Sequence, residues 1–554
     1  MSTPHQRPNI LLVLADDLGF SDIGCYGSEI ETPHLDQLAA SGLRFTQMYN
    51  TSRCCPTRAS LLTGLSPHRA GVGHMVEDFG VGPAYQGYLR EDTQTIGELL
   101  RQAGYHTGLS GKWHVNWAVG GPSTPLAEKE AKVGKPGYPH PLQRGFDRFY
   151  GTMAGAGSFF NPFNLMEQDR FVEPEGDNYY YTDAISAKAI GMMEEAVADG
   201  KPFFTHVCYT APHWPLHAHP ADIERYKDRY LCGWDAIRAQ RHQKMQDLGI
   251  VPREWTLTER DEYAPPWESL DEATRQWEAQ RMAVYAAQIT CMDRGIGSML
   301  DALDRLGVRD NTIVMFLSDN GGCAEYLKED GFFVRYSVPT RDGRPTRVGN
   351  SMDITPGPET TFMSYGLPWA NASNTPFRLY KHYVHEGGIA TPLVVSWPAV
   401  VKSARIDDSV VHVQDLMPTF ADLAGATASL SRGDQGIQSV EGESFGAALK
   451  GEHFERDKPL CLEHEGNCAV RIGRWKAVRK YPGDWELYDM VKDRTEVHDV
   501  SQQHADKLKE LVASYQEWAA VTGVKEWPID SPLAKKNSFG EVGGRPETSA
   551  SARK

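Results

Sequence analysis

Two short apolar runs that lead directly into acidic residues place the strongest constraint on how this chain folds. Residues 9–15 precede Asp16 and Asp17, and residues 312–318 precede an Asp-Asn pair. Apolar runs of this length are typical of strands that are buried on both faces of a parallel sheet. Since ligand sites in open α/β sheets lie beyond the carboxyl ends of the strands, the acidic residues mark a candidate site.

Helical patterns separate the predicted strands. Apolar residues recur every three or four positions from Met282 to Leu303, which indicates a long helix with one buried face. Further candidate strands lie at residues 203–209 and 392–397, and a shorter helical pattern ends near Gly104. This alternation predicts an α/β fold in which a large, mostly parallel or mixed sheet is sandwiched by helices.

The chain of 554 residues is long enough for more than one domain. We predict a catalytic α/β domain over residues 1–440, with long active-site loops at 323–374, where periodicity is lost. After a polar linker at 429–439, strand-like pieces and one helical pattern predict a small C-terminal α+β subdomain over 441–525, an antiparallel sheet plus a helix. Residues 526–554 are predicted to form an extended tail.

Charge and hydropathy exclude several classes of partner. Acidic residues outnumber basic residues by 73 to 57, a net charge of −16, so the long-range field repels nucleic acid and anionic lipid. No apolar run approaches the roughly 20 residues of a membrane-spanning helix, and the first residues lack the apolar core of a secretory signal. We therefore expect a cytoplasmic protein that binds neither nucleic acid nor membrane.

The acidic strand ends have the composition of a site for a hard cation. Asp16, Asp17, Asp319 and Asn320 supply three carboxylates and one amide oxygen. Oxygen ligands suit Ca²⁺ or Mg²⁺ and disfavour zinc. Ligand type alone does not separate these two ions, of which we expect calcium. Taken singly, each pair also fits an ordinary strand end or helix cap, because Asp and Asn are common at such positions.

Cys54 is the candidate reactive residue. It opens the segment Cys-Cys-Pro-Thr-Arg, in which Pro56 suits the first turn of a helix that the following apolar residues continue. The positive end of a helix dipole, with Arg58 one turn away, lowers the pKa of a thiol and attracts anions. The segment predicts a reactive cysteine or an anion site, and simple packing of a buried thiol is the alternative.

The same segment, Cys-x-Pro-x-Arg followed by Leu-Thr-Gly at residues 62–64, resembles the signature of the type I, formylglycine-dependent sulfatases of the alkaline phosphatase-like superfamily. The similarity extends over most of residues 8–520 and is greatest to bacterial cytosolic arylsulfatases. The further blocks that resemble this family are residues 9–19, 32–45, 111–114, 211–214, 318–321, 380–381 and 386–388. Two departures, at Leu65 and at Val115-Asn116, affect positions that we expect to shape the pocket wall.

This resemblance implies a modified nucleophile and a metal. Cys54 would be oxidised to Cα-formylglycine by a formylglycine-generating maturation enzyme. In its hydrated form one hydroxyl attacks sulfur, and loss of the proton of the second hydroxyl expels sulfate. The implied ligands of one divalent cation are Asp16, Asp17, Asp319, Asn320 and the modified residue at position 54.

The resemblance also implies roles for five further side chains. Arg58 and Lys112 would orient or neutralise the diol and the sulfate. His114 would be the base of the elimination step. His213 and Lys381 would face the sulfate and the leaving oxygen.

We therefore expect hydrolysis of small anionic sulfate monoesters, above all aryl sulfates. A phosphonate monoester or phosphodiester hydrolase of the same superfamily is the alternative, because its substrates also carry one negative charge. The complete polar set argues against a decayed protein that only binds anions. The lack of a resolving motif argues against a thiol redox enzyme that uses Cys54 and Cys55.

Overall fold

A ten-stranded mixed sheet forms the centre of the computed structural model, which describes residues 7–427 and 436–531. The strands are β1 (Asn9–Asp16), β2 (Leu43–Tyr49), β3 (His106–Gly111), β4 (Arg148–Thr152), β5 (Leu165–Glu167), β6 (Arg170–Phe171), β7 (Phe203–Pro212), β8 (Thr312–Ser318), β9 (Arg347–Val348), β10 (Thr361–Phe362), β11 (Ala390–Ser396), β12 (Arg405–His412), β13 (Leu460–His464), β14 (Asn467–Ile472), β15 (Trp475–Arg479) and β16 (Trp485–Asp489).

Helices cover the strands or connect them. The α-helices are α1 (Pro33–Ser41), α2 (Cys54–Thr63), α3 (Pro67–Ala70), α4 (Ile96–Gln102), α5 (Leu126–Lys132), α6 (Tyr181–Ala198), α7 (Pro220–Glu224), α8 (Gly233–Asp247), α9 (Glu272–Arg305), α10 (Leu367–Ser373), α11 (Glu386–Ile389), α12 (Leu416–Leu423), α13 (Gly446–Leu449) and α14 (Ala505–Thr522). The predicted long helix lies within α9.

The large sheet has the strand order β12-β2-β11-β8-β1-β7-β3-β4-β5-β6. Its central strands β8, β1, β7, β3 and β4 are parallel, and β11 is antiparallel to both β8 and β2. Consequently β2 runs in the same direction as β8. The predicted fold class, a large mostly parallel or mixed sheet sandwiched by helices, is confirmed.

The residues of β1 show why the central strands are apolar throughout. Leu11 and Val13 pack in the core that contains α6 and α9, whereas Ile10 and Leu12 pack in the opposite core with α2, α4 and α12. Successive side chains of a strand point to opposite faces, and here helices cover both faces. A strand buried in this way needs no alternation of apolar and polar residues.

A second sheet follows the large one in the chain. Strands β13, β14, β15 and β16 form an antiparallel meander, and α14 packs on it through Leu511 and Tyr515 against Val470 and Leu487. The predicted small C-terminal sheet plus helix is thereby confirmed, whereas the domain boundaries stay a prediction.

Other predicted segments lie partly outside the described residues. This holds for most of the predicted linker at 429–439 and for the tail after residue 531. Within the described part of the tail, the indole of Trp527 stacks on His74 and Ile529 packs near Phe79. Among the described residues we find no helix with the length and apolar character needed to cross a membrane.

A buried charge network joins the two sheets. Glu386, at the start of α11, accepts hydrogen bonds from Lys476 Nζ (2.8 Å) and Arg494 Nε (2.6 Å), which lie in β15 and after β16. Tyr49 donates its hydroxyl to the same carboxylate at 2.9 Å. Burial alone would raise the pKa of Glu386, but Lys476 and Arg494 outweigh it and lower the pKa to about 2.

We predict that Glu386→Ala destabilises the protein by about 3–5 kcal/mol, because it leaves Arg494 buried without its carboxylate partner and removes one of the two carboxylates that pair with Lys476. Glu510→Ala is the matched control: its carboxylate pairs with Lys507 at the surface and is 56% exposed, so the loss should stay below about 1 kcal/mol. Denaturant-induced unfolding of both variants measures the difference. Equal destabilisation of the two variants would show that the buried network stabilises the protein no more than the surface ion pair does.

The same network predicts a dependence on pH. The folded-state pKa of Glu386 lies below its unfolded value of 4.5, so ionisation stabilises the fold above that pH. The stability difference between the wild type and Glu386→Ala should therefore narrow as the pH falls from 4.5 towards 2. Unfolding curves across this range test the prediction, and a difference that stays constant would refute it.

Candidate active site

Four neighbouring parallel strands deliver polar residues to one edge of the large sheet. Because β8, β1, β7 and β3 run in the same direction, the residues that follow them meet beyond their carboxyl ends. The residues brought there are Asp16 and Asp17 by β1, Lys112 and His114 by β3, His213 by β7, and Asp319 and Asn320 by β8.

Strand β2 ends at the same edge and leads into α2, whose first residue is Cys54. All ten residues of this helix are buried, and it ends at Gly64 in the left-handed conformation (φ 66°). Cys54 therefore lies at the positive end of a helix that is fixed in the core. The helix begins where the Pro56 pattern predicts it.

The imidazole of His114 lies between two thiols. Its Nδ1 is 3.6 Å from Cys54 Sγ, and its Nε2 is 3.6 Å from Cys55 Sγ. A hydrogen bond from Cys55 is the main cause that lowers the pKa of Cys54 well below its usual value, and Lys112 and His114 add to it against the effect of burial. A Cβ at Gly155 would lie 2.2 Å from the His114 ring, so glycine is required there.

Each carboxylate at the strand ends has a cationic partner. Lys112 Nζ lies 2.6 Å from Asp16 Oδ2. Arg58 donates from Nη2 (2.8 Å) and Nε (3.1 Å) to Asp319 Oδ2, and its Nη2 is 3.8 Å from Asp16. All four side chains are buried, so these ion pairs are screened little by water.

Asp17 faces the remaining two polar residues of the predicted site. Its Oδ2 accepts a hydrogen bond from Lys381 Nζ at 2.9 Å and lies 3.4 Å from His213 Nε2. His213 Nδ1 lies 2.6 Å from the carbonyl oxygen of Trp214, which only accepts, so Nδ1 carries the proton and Nε2 is free to accept. Burial lowers the pKa of both His213 and His114 to about 4, which leaves both rings neutral at pH 7.

The oxygen atoms at the strand ends fit a hard divalent cation. Asp16 Oδ1 and Asn320 Oδ1 are buried and have no hydrogen-bond partner among the described residues. Asn320 Nδ2 donates to Asp17 Oδ1 at 2.7 Å, so the amide oxygen of Asn320 takes no part in this hydrogen bond. Burial raises the pKa of Asp319, and repulsion from Asp16 adds to it, a cost that a bound cation would offset. The donors are all oxygens, as such a cation requires.

Two of these residues hold unusual backbone conformations. Asp17 has φ 64° and His114 has φ 56°, the left-handed region that non-glycine residues rarely adopt. Such strain persists only where surrounding contacts enforce it, and it is concentrated at functional sites. Asp17 lies one position beyond the end of β1, and His114 lies three positions beyond the end of β3.

The structure adds residues that the sequence patterns did not single out. Arg53 Nη1 forms an ion pair with Glu325 Oε1 at 2.9 Å, and Trp214 Nε1 donates to Glu325 Oε2 at 2.8 Å. Burial would raise the pKa of Glu325, but Lys381 and Arg53 lower it far below the usual range. Glu325 lies six residues after Asp319 in a segment without periodicity, so no local sequence pattern marks it.

Aromatic side chains flank this polar centre. Trp214, next to His213, packs its ring 4.9 Å from Phe333 and 6.1 Å from Tyr336. Phe333 and Tyr336 are only partly buried. Met75 Sδ lies 3.6 Å from Cys55 Sγ, and Arg335 lies 4.0 Å from Glu77, so the aromatic segment stands beside the start of α2.

Comparison with known proteins identifies the family whose sequence model matches this chain. The sequence model of the family Sulfatase matches residues 8–426, and that of N-sulphoglucosamine sulphohydrolase, C-terminal, matches residues 377–518. An uncharacterized sulfatase of Schizosaccharomyces pombe is 31% identical and covers 95% of this chain and 96% of its own length.

A second relative and a solved structure agree with this match. An arylsulfatase of Klebsiella aerogenes is 32% identical over 82% of this chain and 95% of its own length. The crystal structure of Ps i-CgsB in complex with k-i-k-neocarrahexaose superposes with a TM-score of 0.65 at 25% identity, over 98% of each chain.

Proposed function

This chain belongs to the sulfatase family and is a sulfuric ester hydrolase, and from this premise we propose that it hydrolyses aryl sulfates with formylglycine at position 54 and one divalent cation. The observation that carries the proposal is the placement of Cys54. Cys54 is the first residue of a buried helix and lies 3.6 Å from a neutral histidine. The charges of Lys112 and Lys381 help to lower its pKa. An anionic ester that binds next to Cys54 is attracted by the positive end of the helix and by these lysine side chains.

We propose that Asp16, Asp17, Asp319 and Asn320 hold the cation, with calcium as the expected ion, and that residue 54 completes its ligands. When bound, the cation would supply positive charge that activates the nucleophile and polarises the sulfate. Lys112, Arg58 and Lys381 already neutralise the three carboxylates. A divalent cation would exceed the single negative charge of a sulfate monoester by one, and an ionised hydroxyl of residue 54 would restore the balance.

Conversion of Cys54 by a formylglycine-generating maturation enzyme replaces one sulfur and two hydrogens by one oxygen. The hydrated aldehyde would supply two hydroxyls. One would displace the alcohol from sulfur, and the other would lose its proton and release sulfate as the aldehyde returns. The neutral ring of His114, next to residue 54, accepts that proton. Arg58 and Lys112 orient the reacting groups.

We assign Lys381 as the donor to the leaving oxygen. In the tautomer that the Trp214 carbonyl selects, His213 Nε2 has no proton to give, and Lys381 Nζ lies 3.4 Å from it. Lys381 therefore donates to the departing oxygen, while His213 positions the lysine. The aromatic rings of Trp214, Phe333 and Tyr336 provide a surface on which an aryl group packs.

The first prediction concerns the two adjacent cysteines. Mass spectrometry of the peptide that contains residue 54 should show the aldehyde in the mature protein, and Cys54→Ala should lower aryl sulfate turnover by more than about 10³-fold. Cys55→Ser is the matched control and should keep most of the turnover. An unmodified thiol at position 54 together with full turnover would refute the mechanism.

The second prediction concerns the cation. Asp319→Asn should reduce bound calcium, measured by elemental analysis after equilibrium dialysis, from one ion per chain to a small fraction. Asp408→Asn changes the net charge equally at an exposed position and should keep the ion. Unchanged calcium in Asp319→Asn would remove Asp319 from the ligand set.

The third prediction concerns the leaving group. Phe333→Ala should raise KM for nitrophenyl sulfate about two- to tenfold, because an aromatic contact of about 0.5–1.5 kcal/mol is lost. Val334→Ala, in the same segment but 39% exposed, should leave KM unchanged.

Substrate comparison tests the aryl class itself. Wild-type turnover of nitrophenyl sulfate should exceed that of a sugar 6-sulfate and of an aryl phosphate diester. Faster turnover of the sugar sulfate would replace the aryl substrate by a glycan. Faster turnover of the diester would favour phosphoryl chemistry.

A further inference from the structure

A second cluster of metal-ligating side chains lies outside the proposed active site. His74, which follows α3, meets His464 and Glu465 at the turn between β13 and β14. One ligand atom from each residue lies within 4.8 Å of the others, and all three side chains are buried. The large domain contributes one ligand and the C-terminal sheet contributes two, so the cluster bridges them.

The two imidazoles and the carboxylate converge on one point. His74 Nε2 lies 2.6 Å from Glu465 Oε1, and His464 Nε2 lies 3.9 Å from the same oxygen. The two rings are nearly parallel, with an interplanar angle of 16° and centroids 5.3 Å apart. The Nε2 atoms of both rings therefore lie near the same oxygen of Glu465.

His464 is the least explained residue of the cluster. It is fully buried, and neither ring nitrogen has a hydrogen-bond partner among the described residues. Buried polar atoms are nearly always satisfied, so an unpartnered imidazole aimed at a carboxylate indicates a missing partner. A cation between the rings and the carboxylate would supply it.

The backbone of the turn holds Glu465 in place. Glu465 has φ 49° and Gly466 has φ 76°, as the tight turn of a two-residue hairpin requires. Asn, Asp or Gly is preferred at the first of these positions, and a glutamate there is strained. The carboxylate at this position is buried and lies near the two histidines.

His382 supports the carboxylate from the other side. The amide oxygen of Asn467 accepts from Tyr481 N at 3.1 Å, so its Nδ2 is the atom that donates to His382 Nε2 at 3.3 Å. The proton of neutral His382 therefore lies on Nδ1, which is 3.2 Å from Glu465 Oε2. Metal ligands are commonly oriented by such outer contacts.

We propose that His74, His464 and Glu465 form a second metal site for a divalent transition ion of the zinc class, distinct from the oxygen-rich site of the proposed cation. Two imidazoles and one carboxylate are a common ligand set of zinc, whereas calcium prefers oxygens alone. The ion fastens the C-terminal sheet to the large domain beside His382, the neighbour of Lys381. The proposal does not depend on the state of residue 54.

Cobalt serves as the probe, because four-coordinate Co²⁺ has a visible absorption band that zinc lacks. The full chain is freed of metal with a chelator, saturated with calcium and titrated with Co²⁺. Cys54→Ser/Cys55→Ser is the background, since these thiols and His114 form another group within 4.8 Å. We expect one Co²⁺ per chain, displaced by Zn²⁺.

His464→Gln should abolish the band. His68→Gln is the matched control: it removes another buried histidine of the same interface, paired with Glu463 at 3.0 Å, and should keep the band. His382→Ala should weaken Co²⁺ binding about 10–100-fold. Absence of the band in the background protein would overturn the proposal, and so would a band retained in His464→Gln.

If His464→Gln does not fold, the Co²⁺ affinity of His382→Ala tests the proposal instead. Unchanged Co²⁺ affinity in this variant would contradict the assigned geometry. Loss of the band on Asp319→Asn, with retention in His382→Ala, would place the ion in the other site and would equally refute the proposal.

Discussion

The meeting of three buried carboxylates at the ends of two adjacent strands is the constraint on which the rest of the site depends. Asp16, Asp17 and Asp319 cannot share a low-dielectric space without compensating charge. The cations that compensate them come from three separate segments: Arg58 from α2, Lys112 from the end of β3, and Lys381 from the chain before β11. These ion pairs fix the start of α2 relative to the sheet, and the cations also face the proposed sulfate position.

The segment from Lys381 to Glu386 connects this site to the C-terminal sheet. Lys381 contacts Asp17, His382 contacts Glu465 in the turn after β13, and Glu386 binds cations from β15 and from the chain after β16. Six consecutive residues thus touch the proposed catalytic centre, the proposed second metal site and the interface between the two sheets. The small sheet therefore contacts the chain immediately after the lysine that is proposed to serve the leaving oxygen.

The sequence predicts the part of this architecture that depends on local patterns. The apolar runs of β1 and β8 locate the central strands, and their acidic ends locate the candidate site, because both features follow from burial and strand direction. Pro56 correctly predicts the start of α2. Glu325 and His464 had no such signal. Glu325 lies in a segment without periodicity, and His464 acquires its neighbour His74 only through a contact across 390 positions. Contacts of this kind arise from tertiary packing alone.

The surroundings of Lys381 bear on the substrate class. Burial disfavours its charge, but Asp17 and Glu325 are among the groups that keep the ammonium protonated. An ammonium held in this way is a strong hydrogen-bond donor that gives up its proton reluctantly. Such a donor suits a leaving oxygen that carries its own negative charge. Phenols ionise near pH 10 and tolerate that charge, whereas alkoxides of sugars are far more basic and require full protonation. The surroundings of Lys381 thus support the proposal of an aryl leaving group that the aromatic side chains suggested.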